Sequence, residues 1–84
     1  MELFYTERFL KSFEDAPLQV QKAFTKQARL LVENLRHPSL RAKKYDESND
    51  IWQGRVTRDW RFYFTITGDV YYLIDIISHP KWRC

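Results

Sequence analysis

Cysteine, histidine and glycine are scarce in this chain, and each shortage removes a class of chemistry. A single cysteine, Cys84, cannot form an internal disulfide, so nothing points to an oxidising compartment. His37 and His79 stand far apart and, with one thiol, make no zinc-ligand pattern, so neither a metal nor another cofactor is expected. With Gly54 and Gly68 as the sole glycines there is no glycine-rich phosphate loop, and no serine carries the flanking signature of a nucleophile. No apolar run approaches membrane-spanning length, and Met1-Glu2-Leu3-Phe4-Tyr5 lacks a basic region leading into an apolar one. A soluble cytoplasmic protein with no membrane partner is the expectation. Repeats and low-complexity tracts are also missing.

What is present suits one small folded domain, residues 1–84, with the apolar and aromatic content to fill a single modest core between two packed layers. The net charge of +3 and pI near 9.2 suit a nucleic acid partner without requiring one. Because the basic excess is spread along the chain, placement has to carry the argument.

The stretch from Ile51 to His79 organises the chain. Ile51 to Thr57, Trp60 to Ile66 and Val70 to Ile77 read as three consecutive antiparallel strands. Strand side chains alternate between faces, so the middle run puts Trp60, Phe62, Phe64 and Ile66 on one side and Arg61, Tyr63 and Thr65 on the other. In the last run Val70, Tyr72, Ile74 and Ile76 form the apolar set, while Tyr71, Leu73, Asp75, Ile77 and His79 form the mixed one. The two apolar sets meet if the intervening loop has an odd number of residues. Parity therefore predicts a three-residue loop, Thr67-Gly68-Asp69, opposing Phe64 with Tyr72 and Arg61 with Asp75. For the first hairpin the same rule predicts Arg58-Asp59-Trp60 as the loop and brings Arg55 and Thr57 beside Tyr63 and Arg61.

The N-terminal half supplies a cover for the greasy face. Glu2 to Tyr5 reads as a short strand at an edge of the meander. Thr6 is an N-cap candidate for a helix with Phe9, Leu10 and Phe13 on one side, which stops before Pro17. From Pro17 to about Leu35, the spacing of Val20, Phe24, Ala28, Leu31 and Leu35 predicts an amphipathic helix. Ser39 to Asp50 reads as a polar connection holding Arg41, Lys43 and Lys44, then Asp46, Glu47 and Asp50. The fold class expected is α+β, in the order β-α-α-β-β-β, with a two-helix hairpin packed on one face of a mostly antiparallel four-stranded sheet.

On the other face stand Arg61 and Arg55. Either guanidinium presents a planar fork suited to phosphate, and an ion pair of Arg61 with Asp75 is the structural alternative. His79, after the last strand, is the histidine placed near them and titrates near neutral pH. Trp52, Tyr63 and Tyr71 serve in packing or as exposed rings able to stack on bases.

The order of elements, the stretch Gly54-Arg55-Val56-Thr57-Arg58-Asp59-Trp60-Arg61-Phe62-Tyr63-Phe64 and the ending Ile76-Ile77-Ser78-His79 resemble the RelE/ParE superfamily of bacterial type II toxins. The resemblance spans nearly the whole chain. It implies a ribosome-dependent endoribonuclease that cleaves mRNA in the A site by attack of a ribose 2′-oxygen, without a metal. The catalytic residues it implies are Arg61, Arg55, His79 and Asp59, with RNA contacts from Lys43, Lys44, Arg58, Lys81, Trp82 and Arg83. Asp59 has a second reading as the cap of its turn. Arg55 is a departure, standing where the YafQ-like branch has a histidine. Partners implied are a cognate antitoxin, the ribosome and mRNA. The alternatives are a ParE-like inhibitor of DNA gyrase with no catalytic activity, and a nucleic-acid-binding or inactive relative that only pairs with an antitoxin.

Overall fold

The computed structural model describes residues 2–78. Its elements run β1 (Glu2–Tyr5), α1 (Glu7–Asp15), α2 (Leu18–Glu33), a 3-10 turn (Pro38–Leu40), β2 (Lys43–Asp46), β3 (Ile51–Arg55), β4 (Trp60–Thr67) and β5 (Val70–Ser78). The class is the α+β one expected, with one strand more. The sheet has five strands in the order β1-β5-β4-β3-β2, antiparallel except where β1 runs parallel to β5.

The extra strand is β2, which lies in the segment expected as a plain polar connection. Lys43 pairs with Gln53 and Lys44 with Trp52, and an irregularity at Tyr45 brings Asp46 opposite Ile51. Four residues with two lysines carry no apolar alternation, so β2 was invisible to a pattern search. A short, charged strand is also how an exposed sheet edge is blunted.

Thr6 does cap α1: its hydroxyl accepts from the Phe9 N–H at 3.2 Å. The same hydroxyl donates to Leu73 O at 2.7 Å, tying the helix start to β5. α1 ends at Ala16 because Pro17 follows, and the Gln21 side chain donates to Phe13 O at 2.9 Å and Ala16 O at 3.1 Å, serving carbonyls left over at the hairpin corner. Rings then cross the core in contact. Phe9 meets Phe24 at 5.1 Å between centroids, Phe24 meets Phe62 at 5.3 Å, Phe62 meets Phe64 at 5.4 Å and Phe64 meets Tyr71 at 5.6 Å. Each such pair adds about 0.5–1.5 kcal/mol beyond the burial of its area.

Both hairpin loops differ from the parity expectation. The β3–β4 loop is Thr57-Arg58-Asp59, since Val56 N–H donates to Trp60 O at 3.0 Å and Arg55 lies opposite Arg61. The loop stays odd, so the faces come out as expected, but Trp60 begins β4 and packs half-buried against the core. The β4–β5 turn is the two-residue Gly68-Asp69 type, with Thr67 opposite Val70 and Gly68 at φ 59°. An even loop puts Tyr71 and Leu73 into the core in place of Val70 and Tyr72. Between Tyr63/Asp75 and Phe64/Leu73 the register slips by one residue, a bulge at Ile74. The slip restores Ile76 to the core and Asp75 and Ile77 to the other face.

Candidate functional site: a basic concavity on the open sheet face

Alternation along β3 and β4 puts Gln53, Arg55, Arg61 and Tyr63 on the face away from the helices, while Gly54, Phe62 and Phe64 face inward. Gly54 is required there: a Cβ would stand 2.4 Å from the tip of the Phe62 ring that lies across it. This close seating fixes β3 against β4 and so holds Arg55 directly opposite Arg61.

Two arginines face to face in a sheet repel, and adjacent like charges in this position are destabilising. The strain on one of them is relieved locally. Arg61 Nη1 donates to Thr57 O at 2.8 Å, Trp60 O at 3.0 Å and Arg58 O at 3.2 Å, so one arm of its fork is spent on the carbonyls of the turn. Its Nε and Nη2 have no hydrogen-bond partner among the described residues, nor does the Arg55 guanidinium. The ion pair of Arg61 with Asp75 does not form. The bulge sets Ile77, not Asp75, opposite Arg61, and Asp75 accepts from Arg8 Nε at 3.1 Å.

Arg41 and Lys43 complete the wall. With Gln53, Arg55 and Arg61 they line a cavity of about 320 Å³, and a neighbouring one of about 380 Å³ runs on past Lys43 and Gln53 to Tyr45. Four cations and an amide around one hollow, with no carboxylate lining it, form a site for an anion bearing several oxygens. Arg41 has a backbone φ of 48°, a left-handed conformation uncommon for arginine. Gln27, buried in α2, reaches both halves of this wall from behind: its side-chain amide donates to Arg55 O at 2.7 Å and to Ser39 O at 3.0 Å.

Of the other residues expected at the site, Lys44 lines the neighbouring hollow with its ammonium held by a carboxylate, and Arg58 and Asp59 lie in the β3–β4 loop. Lys44 Nζ is bound to Asp50 at 2.7 Å and sits 5.3 Å over the Trp52 ring, and the hydrogen bond to the carboxylate raises its pKa. Arg58 is exposed at the tip of the β3–β4 loop. The loop is tied by Thr57, whose hydroxyl accepts from Asp59 N–H at 3.3 Å, and by Arg61 Nη1; the Asp59 carboxylate does not supply the cap. His79, Lys81, Trp82 and Arg83 lie outside the described residues. Arg41 and Tyr45 were missed as site residues because their segment was read as a loop; Gln53 was read in a strand, but an uncharged amide there carries no signal of a site. With β2 as a strand, period-two alternation through Lys43 would have put that lysine beside Gln53.

A larger cavity, about 490 Å³, is elsewhere: a mostly apolar groove between β1, α1 and α2 lined by Leu3, Tyr5, Phe9, Phe13, Phe24 and Val32. Among its lining residues it has no histidine or carboxylate. Among the described residues no three His, Cys, Asp or Glu side chains gather as a metal site, and no helix is long and apolar enough to cross a membrane.

No protein-family model matches the sequence, and no curated protein matches it. Solved structures do match in fold. A YoeB/ParE toxin from Agrobacterium tumefaciens superposes with a TM-score of 0.77 over 95% of this chain and 100% of its own, at 15% identity. YafQ from E. coli gives 0.76 over 90% of each chain at 17% identity. The isolated E. coli RelE toxin gives 0.75 over 94% of this chain and 84% of its own, at 18% identity. This chain therefore has the fold of the RelE/ParE toxin superfamily. Several similar structures are complexes with an antitoxin, such as RelB–RelE from Methanococcus jannaschii and DinJ–YafQ from E. coli.

Proposed function

We propose that this protein is the toxin of a type II toxin–antitoxin pair and that it cuts mRNA on the ribosome. The observation that carries this reading is the register pair Arg55–Arg61, opening with Arg41 and Lys43 onto one hollow, on the fold of RelE and YafQ.

The chemistry follows from what the hollow offers. A ribose 2′-oxygen attacks the adjacent phosphorus, the bond to the 5′-oxygen breaks, and the products are a 2′,3′-cyclic phosphate and a 5′-hydroxyl. Negative charge gathers on the non-bridging oxygens as the fifth bond forms. In this reading Arg61 and Arg55 meet that charge, Arg61 with a fork already oriented by the turn, the kind of preorganised stabilisation that dominates many active sites. Arg61 is held in position because its Nη1 is fastened to the turn. Arg41 and Lys43 hold flanking phosphates and keep the reacting pair in line. In this proposal Asp59 accepts the proton that the attacking 2′-hydroxyl loses, His79 gives a proton to the departing 5′-oxygen, and Arg58, Lys44, Lys81, Trp82 and Arg83 face ribosomal or messenger RNA.

An antitoxin is the natural partner of such a toxin. The apolar groove between β1 and the helices offers a seat for an amphipathic helix, and the basic hollow would take an acidic segment of the same chain.

Cell-free translation with toeprinting tests the function. Cleavage within codons in the ribosomal A site, lost in Arg61→Ala, is the expected result. Undisturbed translation together with stalled DNA gyrase would replace it with the ParE-like alternative.

A further inference from the structure

Beside the basic hollow, on the same open face, lies a second cleft of about 250 Å³ with different chemistry. Tyr63 and Asp75, opposite each other in β4 and β5, both belong to it, and Tyr45, Ile51, Arg8 and Ile77 also line it. The Tyr45 and Tyr63 rings meet edge to face at 5.0 Å between centroids. Shared walls link the two: Tyr45 lines both this cleft and the 380 Å³ hollow beside the basic one, and Gln53 of the basic hollow donates to the Tyr63 hydroxyl at 3.1 Å.

Asp75 is the unusual member. It is 8% exposed, yet it stands where the bulge at Ile74 returns β5 to the open face. Oδ1 accepts from Ile76 N–H at 2.8 Å and Oδ2 from Arg8 Nε at 3.1 Å, so the carboxylate is held in one orientation. Each oxygen retains a second acceptor direction. The Arg8 side chain is 76% exposed, and its terminal nitrogens have no partner among the described residues. A fixed acceptor thus stands beside outward donors, between aromatic and aliphatic walls.

We propose that this cleft is a nucleobase subsite that selects a base by its exocyclic amino group, taking cytosine over uracil among the pyrimidines. The proposal rests on the reading of the basic hollow as an RNA phosphate site and adds to it where the adjoining base goes. The cytosine N4 amino group donates to Asp75 while its N3 and O2 accept from Arg8; uracil would turn the lone pairs of O4 on the carboxylate. Tyr45 and Tyr63 supply ring contact that any base accepts.

The test uses hexamers of cytidine and of uridine, 2′-O-methylated throughout so that they cannot be cleaved, titrated by fluorescence anisotropy at low salt. The wild-type chain should bind the cytidine hexamer about tenfold more tightly. Asp75→Asn, which keeps shape and the bond from Ile76 N–H, should abolish the preference while leaving a folded thermal transition. Tyr45→Ala, at an exposed edge, should weaken both hexamers by about tenfold. Binding that weakens in Arg55→Ala but shows no base preference, or one unchanged in Asp75→Asn, would overturn the subsite and leave the RNA reading standing. If neither hexamer bound the wild-type chain, both would fall.

Discussion

Arg61 makes two kinds of bond at once, and this decides what its replacements do. In Arg61→Lys the ammonium, a point charge on a flexible stem, cannot hold the carbonyls of Thr57 and Trp60 and also address a phosphate. Cleavage in the toeprinting assay should fall by about 10²–10³-fold, close to the loss in Arg61→Ala. Gly54 is constrained by packing. In Gly54→Ala the new methyl must push the Phe62 ring aside, with an expected loss of about 1–3 kcal/mol in denaturant-monitored unfolding. The pairing of Gly54 with Phe62 was not legible in the sequence, because a glycine in a strand signals close approach without saying what approaches. Arg55 and Arg61 sharing a face was legible, since any odd loop gives it.

At the scale of elements, Thr6 and the Ile74 bulge form one device. The Thr6 hydroxyl, bonded to Phe9 N and Leu73 O, pins the start of α1 beside the place where β5 changes its facing. Thr6→Val removes both bonds at nearly constant volume and should cost at least the ~1 kcal/mol of a lost N-cap in thermal unfolding. The bulge itself could not be read from the chain. Two apolar sets in β5, Tyr71 with Leu73 and Ile76 with its neighbours, are out of phase, and a longer loop or a slipped residue reconciles either one with β4. A two-residue turn on Gly68 decided for the slip, since glycine takes the positive φ such turns need. The β2–β3 turn has a further sensitivity. Hydrogen bonds from Asn49, side chain first, and from Ser48 hold the Asp46 carboxyl below its ordinary pKa of 3.8. Its contribution is therefore complete above that value and disappears as pH falls through the lower folded one. Protection of the Ser48 and Asn49 amides, measured as the ratio of intrinsic to observed exchange rate, should fall on acidification, and in Asp46→Ala it should be lost at every pH.

The whole molecule divides its labour between two faces of one sheet. Helices and rings on one side hold strands whose other side is free to carry charge, and Gln27 spans from the first layer to the second. If the four cations of the hollow each meet an RNA phosphate, affinity for single-stranded RNA should fall with salt, by about 0.7 in the logarithmic slope per contact. Arg55→Ala should lessen that slope by one such step, whereas Lys44→Ala, its ammonium bound to Asp50 and proposed to dock on the ribosome, should hardly change the slope for free single-stranded RNA.

The facing arginines should also make the resting protein less durable than its scaffold allows. Arg55→Thr, a residue at ease in a strand and carrying no charge, should melt higher than the parent at low ionic strength, by the ~0.2–1 kcal/mol that such a confrontation costs. The same substitution should leave bacteria growing. A heat-hardened but harmless variant would mean that the chain gives up robustness to keep its weapon loaded.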